Sequence, residues 1–250
     1  MRFQLRPILS EMKEFYLKPL STERFEEYLA KFQGGTKGDL KLPISGFNPM
    51  AKEHIIGKIE ELENLEAESI MEQAIQEVNS SLAANHDVEF QVVLNLSDDY
   101  KGGWTNFYST DYESKFKIRG LVARNFCTPY FWTSENYTEN LIRLRTKEYL
   151  NRTLYWLNNS NPVSLKEHID QEVNVAMSTI DKLVPEDSLK DETIENFYRE
   201  NQNSEDHSLI FNFLYGDVAS ESLGYKQYGL IANAGFSLAK NIALNRKAAN

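Results

Sequence analysis

Several long stretches of this sequence repeat apolar residues at the spacing of an amphipathic helix, and this periodicity restricts the fold more than any other feature. Residues 49–83 carry the longest stripe, which starts at the N-cap sequence Asn48-Pro49 and is predicted to kink at Asn64. Residues 8–33 form two shorter amphipathic stretches on either side of Lys18-Pro19. The first part of the chain is therefore predicted to be mainly helical.

Helical patterns also fill most of the second half of the chain. One runs from Ser134 or Glu135 to residue 158, and another covers residues 164–183. The second begins with Ser164-Leu165-Lys166-Glu167, the sequence of a capping box. A final pattern is expected from about residue 222 to residue 246.

The clearest strand is the β-branched, apolar stretch Val88–Leu96. Two further strands are predicted near residues 105–109 and 116–122, around turns at Gly102-Gly103 and Asp111. The expected fold class is therefore α+β, mainly helical with a small antiparallel sheet. The expected domain organisation is a single domain over residues 1–250, with an alternative boundary near residue 85.

Composition limits where the protein resides and what it binds. The 250 residues carry a formal net charge of −10, and their Lys and Arg residues are dispersed, which argues against a nucleic-acid partner. The single cysteine, Cys127, excludes an internal disulfide. No stretch resembles a signal peptide or a membrane span, so we expect a soluble, acidic, cytoplasmic protein with no membrane partner.

The segment of residues 98–132 combines many aromatic rings with polar and basic side chains. Such a combination is typical of a concave site for a polar ligand. It is also found where aromatic side chains anchor a long irregular loop to the hydrophobic core. The candidate ligand-binding residues are Trp104, Asn106, Tyr108, Arg119, Arg124 and Trp132. The two arginines either clamp an anion or pair with nearby acids. The functional prediction is a binder or enzyme for a small polar ligand that uses this segment. The alternative is a non-catalytic protein–protein interaction module.

Other chemistry-bearing residues form no familiar motif. The acids Asp98, Asp99, Asp111 and Glu113 fit either a carboxylate pair for acid–base catalysis or ordinary turn formers. His168 and Glu172 share one face of a helix and are weak candidates for metal ligands, although two ligands do not make a tight site. We therefore predict no metal, and the sequence indicates no particular cofactor.

Overall fold

The computed structural model describes most of the chain, namely residues 1–34, 39–51, 53–82, 88–100, 105–180 and 192–249. The chain divides into two compact units. The first comprises Met1–Ser114 and Ile118–Thr153, and the second comprises Lys115–Lys117 and Leu154–Asn250. The number of independently folding domains stays a prediction.

The first unit contains the strands and the N-terminal helices. Its elements in chain order are β1 (Arg2–Leu5), α1 (Leu9–Tyr16), α2 (Thr22–Phe32), α3 (Glu53–Asn64), α4 (Ala67–Ser80), β2 (Glu89–Val92), β3 (Asn95–Ser97), α5 (Phe107–Phe116), α6 (Arg119–Val122), β4 (Phe126–Cys127), β5 (Tyr130–Trp132) and α7 (Glu139–Asn158). Helices α5 and α7 contribute their last residues to the second unit.

All the described strand pairs are parallel. β2 lies between β1 and β4, with Phe3 beside Phe90, and β3 pairs with β5. Backbone hydrogen bonds from Val93 N to Cys127 O and from Asn95 N to Pro129 O, each 2.9 Å, connect the two pairings. The ladder is interrupted at Pro129, which has no N–H to donate, but the register is the same on both sides, with Val92 beside Cys127 and Asn95 beside Tyr130. β2 and β3 thus form one slightly broken strand, and β4 and β5 form another.

The prediction of an antiparallel sheet was wrong. An antiparallel pair can be joined by a tight turn, whereas a parallel pair needs a long crossover, and the chain supplies helices between its strands. The strands expected near residues 105–109 and 116–122 are helices α5 and α6 instead. The proposed turn residue Asp111 lies inside α5, and Gly102-Gly103 lies outside the described residues.

The helical predictions fared better than the sheet. α1 and α2 are separate helices on either side of Lys18-Pro19, as predicted. The stripe of residues 49–83 forms the two helices α3 and α4. The helix is interrupted after Asn64, and Glu66 adopts a left-handed conformation with φ of 52°. The expected start at Asn48-Pro49 was wrong, since these residues belong to a turn before α3.

Edge strand β1 is covered by helix α4. The side-chain amide of Asn79 accepts a hydrogen bond from Phe3 N at 2.9 Å and donates one to Phe3 O at 2.8 Å. This pairing satisfies backbone groups that an edge strand otherwise exposes.

The second unit is helical. Besides the end of α7, it contains α8 (Leu165–Thr179), α9 (Glu192–Asn201), α10 (His207–Tyr215), α11 (Asp217–Ser222) and α12 (Ala234–Ala248). The capping box at Ser164 is confirmed, with both of its hydrogen bonds present. The last helix begins at Ala234, later than the predicted residue 222. α12 packs against α8 over much of its length.

Candidate functional site

The candidate site lies at the carboxyl ends of β3 and β5 in the first unit. Asp98 and Asp99 follow β3, and Thr133 and Ser134 follow β5. Because the two strands are parallel, these four residues meet at the same edge of the sheet. That edge is where α/β proteins generally bind their ligands.

Asp98 is a buried carboxylate with several hydrogen-bond donors around it. Only 2% of the residue is exposed. Its Oδ2 accepts from Asn48 Nδ2 at 3.1 Å, and its Oδ1 accepts from Thr133 Oγ1 at 3.3 Å. Its backbone carbonyl accepts from the N–H and the hydroxyl of Thr105. These contacts fix the carboxylate in one orientation.

His54 completes the arrangement from the first turn of α3. Its Nε2 lies 3.0 Å from Asp98 Oδ1, and the side chain is 37% exposed. The ring of Tyr100 meets the imidazole edge to face, with centroids 5.5 Å apart. Since a carboxylate only accepts, Nε2 carries the proton, and in the neutral ring the lone pair is on Nδ1. Within the described part of the chain, no group hydrogen-bonds to that Nδ1.

Asp99 has a different role from its neighbour. Its Oδ1 accepts from Ser134 N at 3.0 Å and from Thr133 Oγ1 at 2.9 Å, and its Oδ2 accepts from Ser134 Oγ at 2.6 Å. These bonds tie the end of β3 to the end of β5. Asp99 therefore holds together the frame in which Asp98 sits.

A buried loop before α3 places Asn48 beside Asp98. Gly46 N donates to Asn95 Oδ1 at 2.8 Å, and Asn95 Nδ2 donates to Pro43 O at 2.5 Å. A Cβ at residue 46 would lie 2.8 Å from Ser97 Oγ and 2.9 Å from Asn95 Oδ1, so the close approach of loop and strand requires glycine. The hydroxyl of Tyr16 donates to Asn48 O at 2.9 Å and anchors the other end of the loop.

A cleft of about 650 Å³ opens beside His54, and α3 begins at its wall. Its lining combines apolar, aromatic and charged side chains. The lining residues are Tyr16, Leu17, Lys18, Leu20, Arg24, Ala51, Glu53, His54 and Ile56. This size is in the range of small-molecule sites.

Arg24 is a buried cation in the wall of this cleft. The residue is 4% exposed, and its guanidinium lies 5.1 Å and 5.0 Å from the ring centroids of Phe15 and Tyr16. It donates to the backbone carbonyls of Lys18 at 3.0 Å and of Ala51 at 2.9 Å. Burial lowers the pKa of Arg24 from its ordinary value, and Tyr16 opposes that effect.

The candidate residues from the aromatic segment occupy separate places. Asn106 Oδ1 accepts from Ser109 N at 3.1 Å and so caps α5, and Arg124 Nη1 donates to Gly120 O at 2.9 Å. Tyr108 is half-exposed with its ring against Phe107, and Arg119 is exposed at the start of α6. Trp132 is a buried residue of β5, 4.6 Å from the ring of Phe107. None of these residues lines the cleft beside His54.

Trp104 lies outside the described residues, so the complete set of six has no structural test. The assignment of these residues to a ligand site stays a prediction. Of the segment that the sequence singled out, Asp98 is hydrogen-bonded to the cleft-lining side chain of His54, and the ring of Tyr100 contacts the same imidazole. His54 was missed, although a histidine in the first turn of a helix and an acid at a strand end are both visible in the sequence.

The weak metal candidates lie in the second unit, on α8. His168 is 3% exposed, its Nδ1 lies 2.8 Å from Ser164 O, and its ring contacts that of Phe116. Burial lowers the pKa of His168 below its ordinary value. Glu172 accepts from Gln171 Nε2 at 2.9 Å. Across the described ranges, no three His, Cys, Asp or Glu residues gather in a way that would hold a metal ion.

Comparisons with known proteins add no assignment. No protein-family model, curated protein or solved structure matches this chain. Within the part of the chain that the structure describes, no helix is both long enough and apolar enough to cross a bilayer. Function must therefore be inferred from the geometry of the cleft.

Proposed function

We propose that the protein is an enzyme for a small polar substrate, in which His54 is the general base and Asp98 orients it. The observation that carries this proposal is the 3.0 Å contact between His54 Nε2 and the buried Asp98 Oδ1 at the wall of a cleft. The proposal keeps the substrate class predicted from the sequence. It differs from that prediction in the residues that carry out the chemistry. These are Asp98, the first residue of the segment of residues 98–132, and His54, which lies outside that segment.

His54 has the features that a general base requires. The carboxylate of Asp98 holds the proton on Nε2, so the lone pair of Nδ1 is available to accept a second proton. When it does, the buried charge of Asp98 stabilises the imidazolium that forms. The partly exposed ring is accessible from the cleft, whereas Asp98 is shielded from water. The base is therefore accessible to a substrate, whereas the carboxylate that orients it is buried.

Water is the nucleophile that fits this cleft. Among the described lining residues there is no serine, threonine or cysteine. Cys127 is buried elsewhere, and burial raises the pKa of its thiol to about 12. In hydrolysis of an ester, Nδ1 takes a proton from water as the water oxygen bonds to the carbonyl carbon. The imidazolium then returns that proton to the departing alkoxide as the ester C–O bond breaks.

The start of α3 supplies a second element for this reaction. The first N–H groups of a helix lack intrahelical acceptors and favour negative charge. Glu53, His54 and Ile56 of this first turn line the cleft. Backbone donors beside the base are suited to stabilising the oxyanion of a tetrahedral intermediate.

Hydrolysis of 4-nitrophenyl butyrate tests the proposal. We expect His54→Gln to lower the rate by about 10²–10⁴-fold, the usual contribution of a positioned base. His207→Gln is the matched control, because His207 is an exposed histidine of the second unit whose loss leaves the cleft intact. Equal rates for wild type and His54→Gln would refute the assignment and favour the non-catalytic interaction module.

The remaining expectations about the cellular setting belong with this proposal. The acidic net charge of −10 supports the absence of a nucleic-acid partner. The lone cysteine, buried and with a raised pKa, is compatible with a cytoplasmic location.

A further inference from the structure

Arg24 carries a buried charge for which the described residues provide no counterion. Its two bonded partners are backbone carbonyls, and its Nε has no hydrogen-bond partner. No carboxylate forms an ion pair with it within the described ranges, whereas the neighbouring Lys18 is paired with Glu27 at 2.5 Å. An arginine has five N–H donors, and a buried charge is costly when it is unpaired. An anion in the cleft would offset that cost.

Arg24 borders the cleft from its buried side, so its charge faces any anion that enters. The rings of Phe15 and Tyr16 stack against the guanidinium, and the carbonyls of Lys18 and Ala51 bond to its ends. Residues Lys18, Arg24 and Ala51 all line the cleft. The planar fork of arginine matches the two oxygens of a carboxylate. Glu53 also lines the cleft and disfavours a second negative charge on the ligand.

Apolar side chains stand at the same cleft. Leu17 is 66% exposed and Leu20 is 48% exposed, although both are large hydrophobic residues. Together with Ile56 they offer apolar surface to a ligand. We infer that the cleft binds a monocarboxylate whose apolar group contacts Leu17 and Leu20 and whose carboxylate lies beside Arg24.

A continuous set of contacts links the carboxylate subsite to His54. Arg24 stacks on Tyr16, Tyr16 donates to Asn48 O, and Asn48 Nδ2 donates to Asp98. Asp98 in turn contacts His54. Arg24 and His54, at the two ends of this series of contacts, both line the cleft. The reading of this ligand as a substrate rests on the proposed function, but its binding is measurable without turnover.

Calorimetric titration with 4-phenylbutyrate and with the neutral 4-phenyl-1-butanol tests the inference. A charge-assisted hydrogen bond predicts that wild type binds the acid at least about tenfold more tightly than the alcohol. Acetate, which lacks the apolar group, should bind more weakly than 4-phenylbutyrate by a similar factor, about tenfold. 4-Phenylbutyl phosphate serves as the dianionic comparison, and we expect it to bind less tightly than the carboxylate.

Two variants locate the binding. Leu17→Asp places a negative charge on an exposed position of the cleft and should weaken 4-phenylbutyrate by about tenfold. Val218→Asp is its control, since Val218 is a 73% exposed apolar residue of the second unit. Arg24→Gln should remove the preference for acid over alcohol, with folding verified by circular dichroism. Leu17→Asp keeps the test decisive if Arg24→Gln does not fold.

Equal affinities for acid and alcohol, or an unchanged affinity in Leu17→Asp, would overturn the inference. Tighter binding of the phosphate would overturn the choice of a monocarboxylate. Carboxylate binding without any ester hydrolysis would uphold this subsite and refute the proposed function. Hydrolysis that depends on His54, without selectivity for the acid over the alcohol, would uphold the proposed function and refute this subsite.

Discussion

Two histidine–carboxylate pairs in this molecule look alike in composition and differ in setting. His168 and Glu172 are one helical turn apart on α8, and both are buried. His54 and Asp98 are 44 residues apart, and their histidine is partly exposed at a cleft while their acid is buried. Only the second pair offers a nitrogen that a ligand can reach. Accessibility and an oriented proton, more than the identity of the two residues, mark a candidate for catalysis.

Replacing the carboxylate of each pair by an amide is the strongest test of the difference between the two pairs. We expect Asp98→Asn to lower hydrolysis of 4-nitrophenyl butyrate by about 10²–10⁴-fold, because the amide no longer enforces the useful tautomer or stabilises the imidazolium. Glu172→Gln should leave the rate unchanged. Similar losses in both variants would show that the rate reports the folded state and not a base in the cleft.

Truncating each histidine should give the opposite ranking in stability. His168→Ala removes a buried ring that packs on Phe116, so we expect a loss of roughly 2–4 kcal/mol in the free energy of unfolding. His54→Ala removes a partly exposed ring and should cost less than about 1 kcal/mol. Urea unfolding followed by circular dichroism measures both. A costlier His54 variant would make that residue a structural one.

The smallest expected effect is a dependence of stability on pH. The pKa of His168 is lowered in the folded protein, chiefly by burial, from an ordinary value of 6.5. Above pH 6.5 neither state is protonated, and below it the unfolded state binds the proton first, so acidification reduces the free energy of unfolding. His168→Asn should lose less stability than wild type when the pH falls from 8 to 5. Parallel melting curves would contradict the buried, neutral histidine.

The sequence predicted the helices of this chain better than its sheet. The break at Lys18-Pro19 and the capping box at Ser164 follow from local chemistry, and both were confirmed. The direction of the strands depends on what connects them, and the helices α5 and α6 were mistaken for strands. The buried run Val92, Val93 and Leu94, which is fully apolar, is typical of a parallel sheet covered on both faces.

The candidate site was harder to predict because its parts are distant in sequence. Helical spacing made His168 and Glu172 visible, since residues four apart share a face. The meeting of His54 with Asp98 depends on the parallel register of β3 and β5 and on the loop held by Gly46. Nothing in the local sequence of His54 encodes that register.

The parallel sheet also has a consequence for how the chain reaches its native state. β1 can pair only after residues 89–92 are available, because Phe3 lies beside Phe90. Closing so long a loop is entropically costly and tends to slow folding. During synthesis, the first strand must leave the ribosome long before its partner does. Helix α4 precedes β2 in the chain and bonds to Phe3 through Asn79, so it is available to cover β1 before β2 is synthesised.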